Sequence, residues 1–146
     1  MLSEISRFAP DLPQDEVISN DLARKMPYLQ AIIKEGLRWF PPVTGMLYKQ
    51  VPPEGDEWKG VKLPPGAQVS WCVVGVMRSK EFWGDDADEF RPERWLDVES
   101  EAKLKEMDAR VGLVFGYGKW QCLGRDVALM ELNKVFVEVS RGHDLV

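Results

Sequence analysis

Apolar positions along the chain fall into two helical stripes separated by shorter, less regular stretches. Leu29, Ile32, Ile33, Gly36, Leu37 and Phe40 recur at helical spacing. They predict a helix over 27–40, with Pro27 in its first turn and Pro41 and Pro42 as the stop. Toward the other end Ala128, Leu132, Val135, Phe136 and Val139 share one face and predict an amphipathic helix over 125–140. Residues 1–26 read as a polar lead-in broken by Pro10 and Pro13, with Asn20 a candidate cap for a short turn ahead of Lys25.

Short strands are predicted within 46–74, over Met46–Val51, Trp58–Leu63 and Gln68–Val74. Pro52-Pro53 ends the first, and Pro64-Pro65-Gly66 forms a turn in which Gly66 is a candidate for positive φ. Residues 84–97 read as an aromatic loop, and Glu99–Arg110 as a polar helix with Leu104 and Met107 on one side. No internal repeat is present. The pattern predicts an α+β, mainly helical fold with long irregular connections. Such connections are uncommon unless they are functional or packed against something large.

Composition narrows the function classes. The 146 residues suffice for one domain, and 45% apolar residues permit a core. A formal charge of -5 argues against nucleic acid as a partner and against a polybasic membrane patch. Two cysteines, Cys72 and Cys122, do not make a disulfide scaffold. The single histidine, His143, reads as a surface residue near the C-terminus. It leaves a zinc site or a Cys–His or Ser–His nucleophile poorly supplied. No apolar run reaches the roughly 18 residues of a membrane span, and Met1–Pro10 lacks the apolar stretch of a signal peptide. Six tryptophans are scattered through loops and helix ends, a distribution that suits packing better than an aromatic cage.

The densest chemistry lies in Phe115-Gly116-Tyr117-Gly118-Lys119-Trp120-Gln121-Cys122-Leu123-Gly124, running straight into the last predicted helix. Cys122 then stands at or just before a helix N-terminus, where unpaired N–H groups would stabilise a thiolate. Gly118 permits a tight turn, and Gly124 permits something flat to approach the backbone. A thiolate there is a soft metal ligand. With no second Cys or His nearby, the metal should arrive with its other ligands attached, as haem iron does. Taken alone, Cys122 reads first as an ordinary buried cysteine. Glu35 and Arg38 share a helix face at i and i+3, and Arg94 is a candidate second cation for the carboxylate. On spacing alone a solvated surface pair is the favoured reading.

The segment 115–124 resembles the haem-binding loop of cytochrome P-450 monooxygenases. Glu35-Gly36-Leu37-Arg38 is similar to the family's Glu-x-x-Arg on helix K. Phe90-Arg91-Pro92-Glu93-Arg94-Trp95 is similar to its Pro-x-Arg loop. Pro64-Pro65-Gly66 and Trp83-Gly84-Asp85-Asp86-Ala87 match habits of its fungal branches. The resemblance runs from about Asn20 to Val146, with the three motifs in the family's order.

The resemblance implies a C-terminal slice of that fold: helix K, short strands, the aromatic meander loop, the haem-Cys loop and helix L. It implies haem b (iron protoporphyrin IX) with Cys122 as the axial iron ligand, and a structural cluster of Glu35, Arg38 and Arg94. Phe115 is expected near the sulfur, and Ala128 and Leu129 on the proximal side of the ring or in the helix core. The family usually places Arg or His two residues before the ligand, where this chain has Trp120. Trp120 and Lys49 are therefore the expected propionate contacts, with Lys119 beside them; solvent exposure is the plainer reading of either lysine.

The resemblance further implies monooxygenase activity on an apolar small molecule with electrons from an NADPH-dependent reductase. Family members are often anchored in the endoplasmic reticulum membrane, and no anchor is evident in this sequence. The family's acid–Thr helix is not found before Glu35. An inactive truncated haem-binding fragment or pseudogene product is thus a second expectation, and a haem-free interaction module a third. Ile32, Leu37, Leu132 and Phe136 are expected to form an exposed apolar patch.

Overall fold

The computed structural model describes residues 1–142, about half of them helical, with a few very short strands. Helix α1 (Leu2–Phe8) and the single turn α2 (Asn20–Ala23) form the lead-in; α3 spans Pro27–Trp39 and α7 spans Arg125–Gly142. Between them lie β1 (Lys49–Gln50), β2 (Asp56–Trp58), β3 (Val61–Leu63), β4 (Gln68–Val69), α4 (Val73–Met77), α5 (Lys80–Trp83) and α6 (Glu101–Gly112). One-turn 3-10 segments occupy Pro92–Trp95, Leu113–Phe115 and Gly118–Trp120.

Helix α3 begins with Pro27 at its start, but Met26 gives it no side-chain cap. Glu4 of α1 does that work from a distance. Its two carboxylate oxygens accept the Tyr28 N–H at 2.8 Å and the Leu29 N–H at 3.0 Å. These donors would otherwise be orphaned, and a carboxylate there also complements the helix dipole. The lead-in is tied equally well to α7: the Ile18 N–H donates to Glu138, and the Arg141 guanidinium donates to the carbonyls of Leu12, Pro13 and Glu16. Residues 1–26 are thus more structured than their mixed polarity predicts, and it is Ser19, not Asn20, that caps α2.

Two strand expectations are corrected. Trp58–Leu63 is not one extended stretch. It contains a hairpin turn at Lys59 and Gly60, with φ of 48° and 80°, so that Trp58 pairs with Val61 across a two-residue loop. Gln68–Val74 is strand only at Gln68–Val69, antiparallel to β1 with Lys49 opposite Val69. The chain then turns into α4, capped by Cys72, whose sulfur accepts the Gly75 N–H at 3.4 Å. Its apolar run belongs to a short core helix, a distinction periodicity cannot make over so few residues. Met46 still bridges Cys72, so the expected strand over 46–51 survives as a bridge plus Lys49–Gln50.

Two clusters form the interior. One joins Ala31 of α3 to Val73, Met77, Trp83, Ala87, Trp95, Met107, Val111, Val114 and Phe115. The other packs Ile5, Ile18, Ala23, Met26, Leu29 and Ile33 on Val137 of α7. Helix α3 is common to both. Between α3 and α7 an apolar groove of about 610 Å³ remains open, lined by Ile32, Leu37, Phe40, Leu132 and Phe136. Ile32, Leu37 and Leu132 are half-buried in its walls, and Phe136 is exposed.

Candidate functional site

The first core is organised around one carboxylate. Glu35 and Arg38 have no exposed surface at all, and Arg94 has very little. Arg38 grips Glu35 with two hydrogen bonds, Nε to Oε2 at 2.8 Å and Nη2 to Oε1 at 2.7 Å. Arg94 Nε donates to Oε1 at 3.0 Å, the Arg91 backbone N–H donates to the same oxygen at 2.9 Å, and Trp95 Nε1 donates to Oε2 at 3.0 Å. Five donors therefore converge on two oxygens. Burial pushes the Glu35 carboxyl up, but the hydrogen bonds from Arg38 and Arg91, the Arg38 charge and the Trp95 N–H outweigh it and hold the group below its ordinary value.

The guanidinium groups spend their remaining donors on the chain that wraps them. Arg38 donates to the carbonyls of Met77, Ala87 and Glu89. Arg94 donates to Trp83 O at 3.1 Å, to Asp86 O at 2.9 Å and to Asp86 Oδ1 at 3.1 Å. The second Asp86 oxygen takes Arg91 Nε at 2.5 Å. Asp86 is also held below its usual value: partial burial opposes ionisation, and Arg91 and Arg94 more than compensate. Paired this fully, the buried charges fix the path of residues 83–95 against α3. Sequence reasoning reached Glu35, Arg38 and Arg94 but missed Asp86, Trp95 and the Arg91 N–H. Arg91 and Trp95 stood in the Phe90–Trp95 motif and Asp86 in the Trp83–Ala87 run, but neither segment assigned them a role toward Glu35.

Phe115, buried in the same core, begins the second feature. Its carbonyl accepts the Cys122 N–H at 2.7 Å, which closes the segment 115–122 into a loop. Gly116 turns the loop at φ 76°, where a Cβ would stand 2.6 Å from the Trp120 carbonyl oxygen, so no other residue fits unshifted. Gly118, at φ 60°, has open space around it. Sequence reasoning singled out Gly118 and Gly124 and passed over Gly116, the most constrained of the three. Gly124 lies beside the sulfur: a Cβ there would be 3.8 Å from Cys122 Sγ.

The Cys122 thiol is free and exposed, which removes the buried-cysteine reading. Beyond it Leu123 is fully exposed, and Trp120 and Tyr117 are largely so. Lys49 of β1 reaches this loop, its Nζ 4.6 Å from the centre of the Trp120 ring, and Lys119 Nζ lies 5.2 Å from the same centre. Ala128 and Leu129 of α7 pack, partly buried, against the Phe115 core. His143 lies outside the described residues.

This donor set has a definite chemical character. Among the described residues no group of three or more His, Cys, Asp or Glu is placed to hold a bare ion. A metal at Cys122 has to bring further ligands of its own. The exposed thiol, with exposed Leu123, Trp120 and Tyr117 on the same loop, fits a flat apolar ring.

The cytochrome P450 family model matches residues 4–141. The chain belongs to the cytochrome P450 family. It is 50% identical over 128 residues to the cytochrome P450 monooxygenase ABA1 of Pyricularia oryzae, covering 88% of this chain and 25% of that protein. It is 43% identical over 123 residues to the cytochrome P450 monooxygenase aba1 of Botryotinia fuckeliana, covering 84% and 24%. With the pisatin demethylase of Fusarium vanettenii it shares 34% identity over 142 residues, covering 97% and 26%. The chain thus spans about a quarter of the length of the curated relatives it matches. Membership of the P450 family implies haem as cofactor.

Proposed function

We propose that this chain is the thiolate side of a P450 monooxygenase, in which Cys122 is the axial ligand to the iron of haem b. The observation that carries the reading is the free, exposed Cys122 sulfur, held at the end of a loop closed by the Cys122 N–H to Phe115 O bond and followed directly by α7. In this reading α3 corresponds to helix K, residues 84–97 to the meander, residues 115–124 to the haem-Cys loop and α7 to helix L, a C-terminal slice of the family fold.

Haem, when bound, would supply the iron chemistry for putting one atom of dioxygen into an apolar substrate and reducing the other to water, with two electrons from an NADPH-dependent reductase and two protons from solvent. The chain's own residues prepare that site. Cys122 presents the sulfur. Gly118 and Gly116 set the turn, and Gly124 leaves the sulfur uncrowded. Phe115 anchors the start of the loop in the core. Trp120 and Lys49 stand at the rim for the propionates. Glu35, Arg38 and Arg94 touch neither haem nor substrate; they hold α3, the meander and the Phe115 core in one register.

The open groove between α3 and α7 supports a second reading, in which the 146 residues bind haem without turnover when nothing else of the protein is present. The test of the first reading is spectroscopic. Chain reconstituted with haem, reduced and exposed to carbon monoxide should show the red-shifted Soret band of thiolate ligation. Cys122→Ser should lose that band and Cys72→Ser should keep it. A serine variant at 122 that retained it would refute the ligand assignment.

A further inference from the structure

Resting on the reading of Cys122 as haem ligand, we infer that Asn133 is a positioning residue: its buried amide pins the register of α7 against α2 and α3, and α7 carries that register to the cysteine loop at its N-terminus. Among the residues of α7 only Asn133 and Val137 are buried, Asn133 with 4% exposure. The Asn133 amide is used at both ends. Its Nδ2 donates to Asn20 Oδ1 at 2.9 Å, and its Oδ1 accepts from Gln30 Nε2 at 2.9 Å. Gln30 Nε2 also donates to the Ala23 carbonyl at 3.3 Å. One chain of amides thus joins α2, α3 and α7.

The apolar part of that interface does not fix a register. Val137 packs with Ile5, Ile18, Ala23, Met26, Leu29 and Ile33, and such contacts are non-directional. On its other side α7 borders the open groove. A helix held this way can turn or slide slightly at little cost, whereas a hydrogen bond weakens steeply once it is misaligned. Buried asparagine plays the same part between coiled-coil helices, where it lowers stability and specifies register. The other side-chain ties of α7, from Glu138 and Arg141 to residues 12–18, lie further from the cysteine loop. Asn133 is the tie nearest to it: eight residues, about 12 Å of helix, separate it from Arg125. A ligand site has to be held to roughly 0.5 Å and 10–20°, so a small rotation of α7 is enough to misplace the sulfur.

The experiment exchanges the amide for an apolar side chain of similar size in the full 146-residue chain. In Asn133→Leu the former partners, Asn20 and Gln30, are only half-buried and can turn to water, so the melting temperature should barely move. Without haem, hydrogen exchange at the Cys122 N–H, which closes the loop on Phe115 O at 2.7 Å, should quicken by roughly tenfold or more. With haem, reduced and exposed to carbon monoxide, the variant should show the thiolate band mixed with that of neutral thiol. Gln30→Met should do the same from the other side, and the double variant should do no more than either single, because the residues form one unit. Val137→Ala is the structural control: it empties volume on the same face of α7, and should lower the melting temperature while the thiolate band stays single. Unchanged exchange with a single thiolate band in Asn133→Leu would overturn the pin. So would band losses that only follow the unfolded fraction, or equal mixing in Val137→Ala. Failure of the Cys122 reading is separable: if the unaltered chain takes up haem without a thiolate band, the ligand assignment is lost, and exchange at the Cys122 N–H decides the pin by itself.

Discussion

The indole N–H of Trp95 donates to Glu35 Oε2 at 3.0 Å, so an aromatic residue of the segment 84–97, otherwise buried in the core, is pinned to a charge on α3. The bond makes the hydrophobic core and the ionic cluster one structure. It also gives a graded test. Trp95→Phe keeps an aromatic ring but removes one of the five donors to Glu35, and should cost at least about 1.5–3 kcal/mol, the range for hydrogen bonds to a charged group, with a further loss from the buried volume that the smaller ring leaves empty. Glu35→Ala strands Arg38 and Arg94 without their counter-ion and should cost about 3–5 kcal/mol. Urea unfolding midpoints measure both. Equal losses would mean that the cluster is not centred on Glu35.

Acid should dismantle the same cluster. Glu35 and Asp86 are both held below their ordinary values in the folded chain. A carboxyl of that kind stabilises the fold above its unfolded pKa and loses the contribution as pH falls through the folded one. Stability should therefore be flat in these groups near neutrality, begin to fall close to the unfolded carboxylate range of about 4, and continue to fall below it. Thermal melts from pH 7 down to pH 3 would follow it. Glu35→Gln should lower stability at pH 7 and shrink the acid-dependent drop. An undiminished drop would place the acid-sensitive groups elsewhere.

The residues of this cluster show where the sequence was legible. The i, i+3 spacing of Glu35 and Arg38 was readable because helical periodicity is a local property. Arg94 was reachable through a family motif. Asp86 was not, because its part depends on the turn 84–89, whose carbonyls bind two arginines from outside the local sequence. The same distinction runs through the fold. Helices α3 and α7 each carry several turns of periodic signal, so their limits came out within two residues. The run Gln68–Val74 offers too few positions for a period, and its second half folds into α4. The Lys59–Gly60 turn was overlooked because lysine rarely takes a positive φ. Ser19 was overlooked as a cap because Asn20 beside it is of the same capping type.

Catalysis should be weak in this chain alone, even when it is loaded with haem. Proton delivery to bound dioxygen needs positioned groups, and no acid–Thr pair precedes α3 in this sequence. Oxidation of an apolar substrate also needs a closed, dry pocket around it. Electrons supplied by a reductase and NADPH should go largely to peroxide. The ratio of product formed to NADPH consumed, over a panel of apolar substrates, measures this. A ratio near one would show that a second chain, or a second copy of this one, completes the pocket.

The loop glycines separate strain from contact. Gly116 and Gly118 both have positive φ, at 76° and 60°, so alanine at either position is strained: about 1–2 kcal/mol at Gly118 and about 1–3 kcal/mol at Gly116, whose ψ of -172° lies in a region that essentially only glycine adopts. Only Gly116 adds a collision, with its Cβ 2.6 Å from the Trp120 carbonyl oxygen, while Gly118 has nothing within 4 Å. The colliding atom is backbone, so the loop itself has to move, and it moves at Trp120, two residues before the sulfur. Gly118→Ala should therefore bind haem with a normal thiolate Soret band and a modestly lowered melting temperature. Gly116→Ala should lose the long-wavelength carbon monoxide band, or show it mixed with a band of neutral thiol, at a temperature where far-ultraviolet circular dichroism still reports folded helices. If the two variants instead behave alike in the carbon monoxide spectrum, strain dominates and the close packing of Gly116 on Trp120 does not hold the sulfur in place.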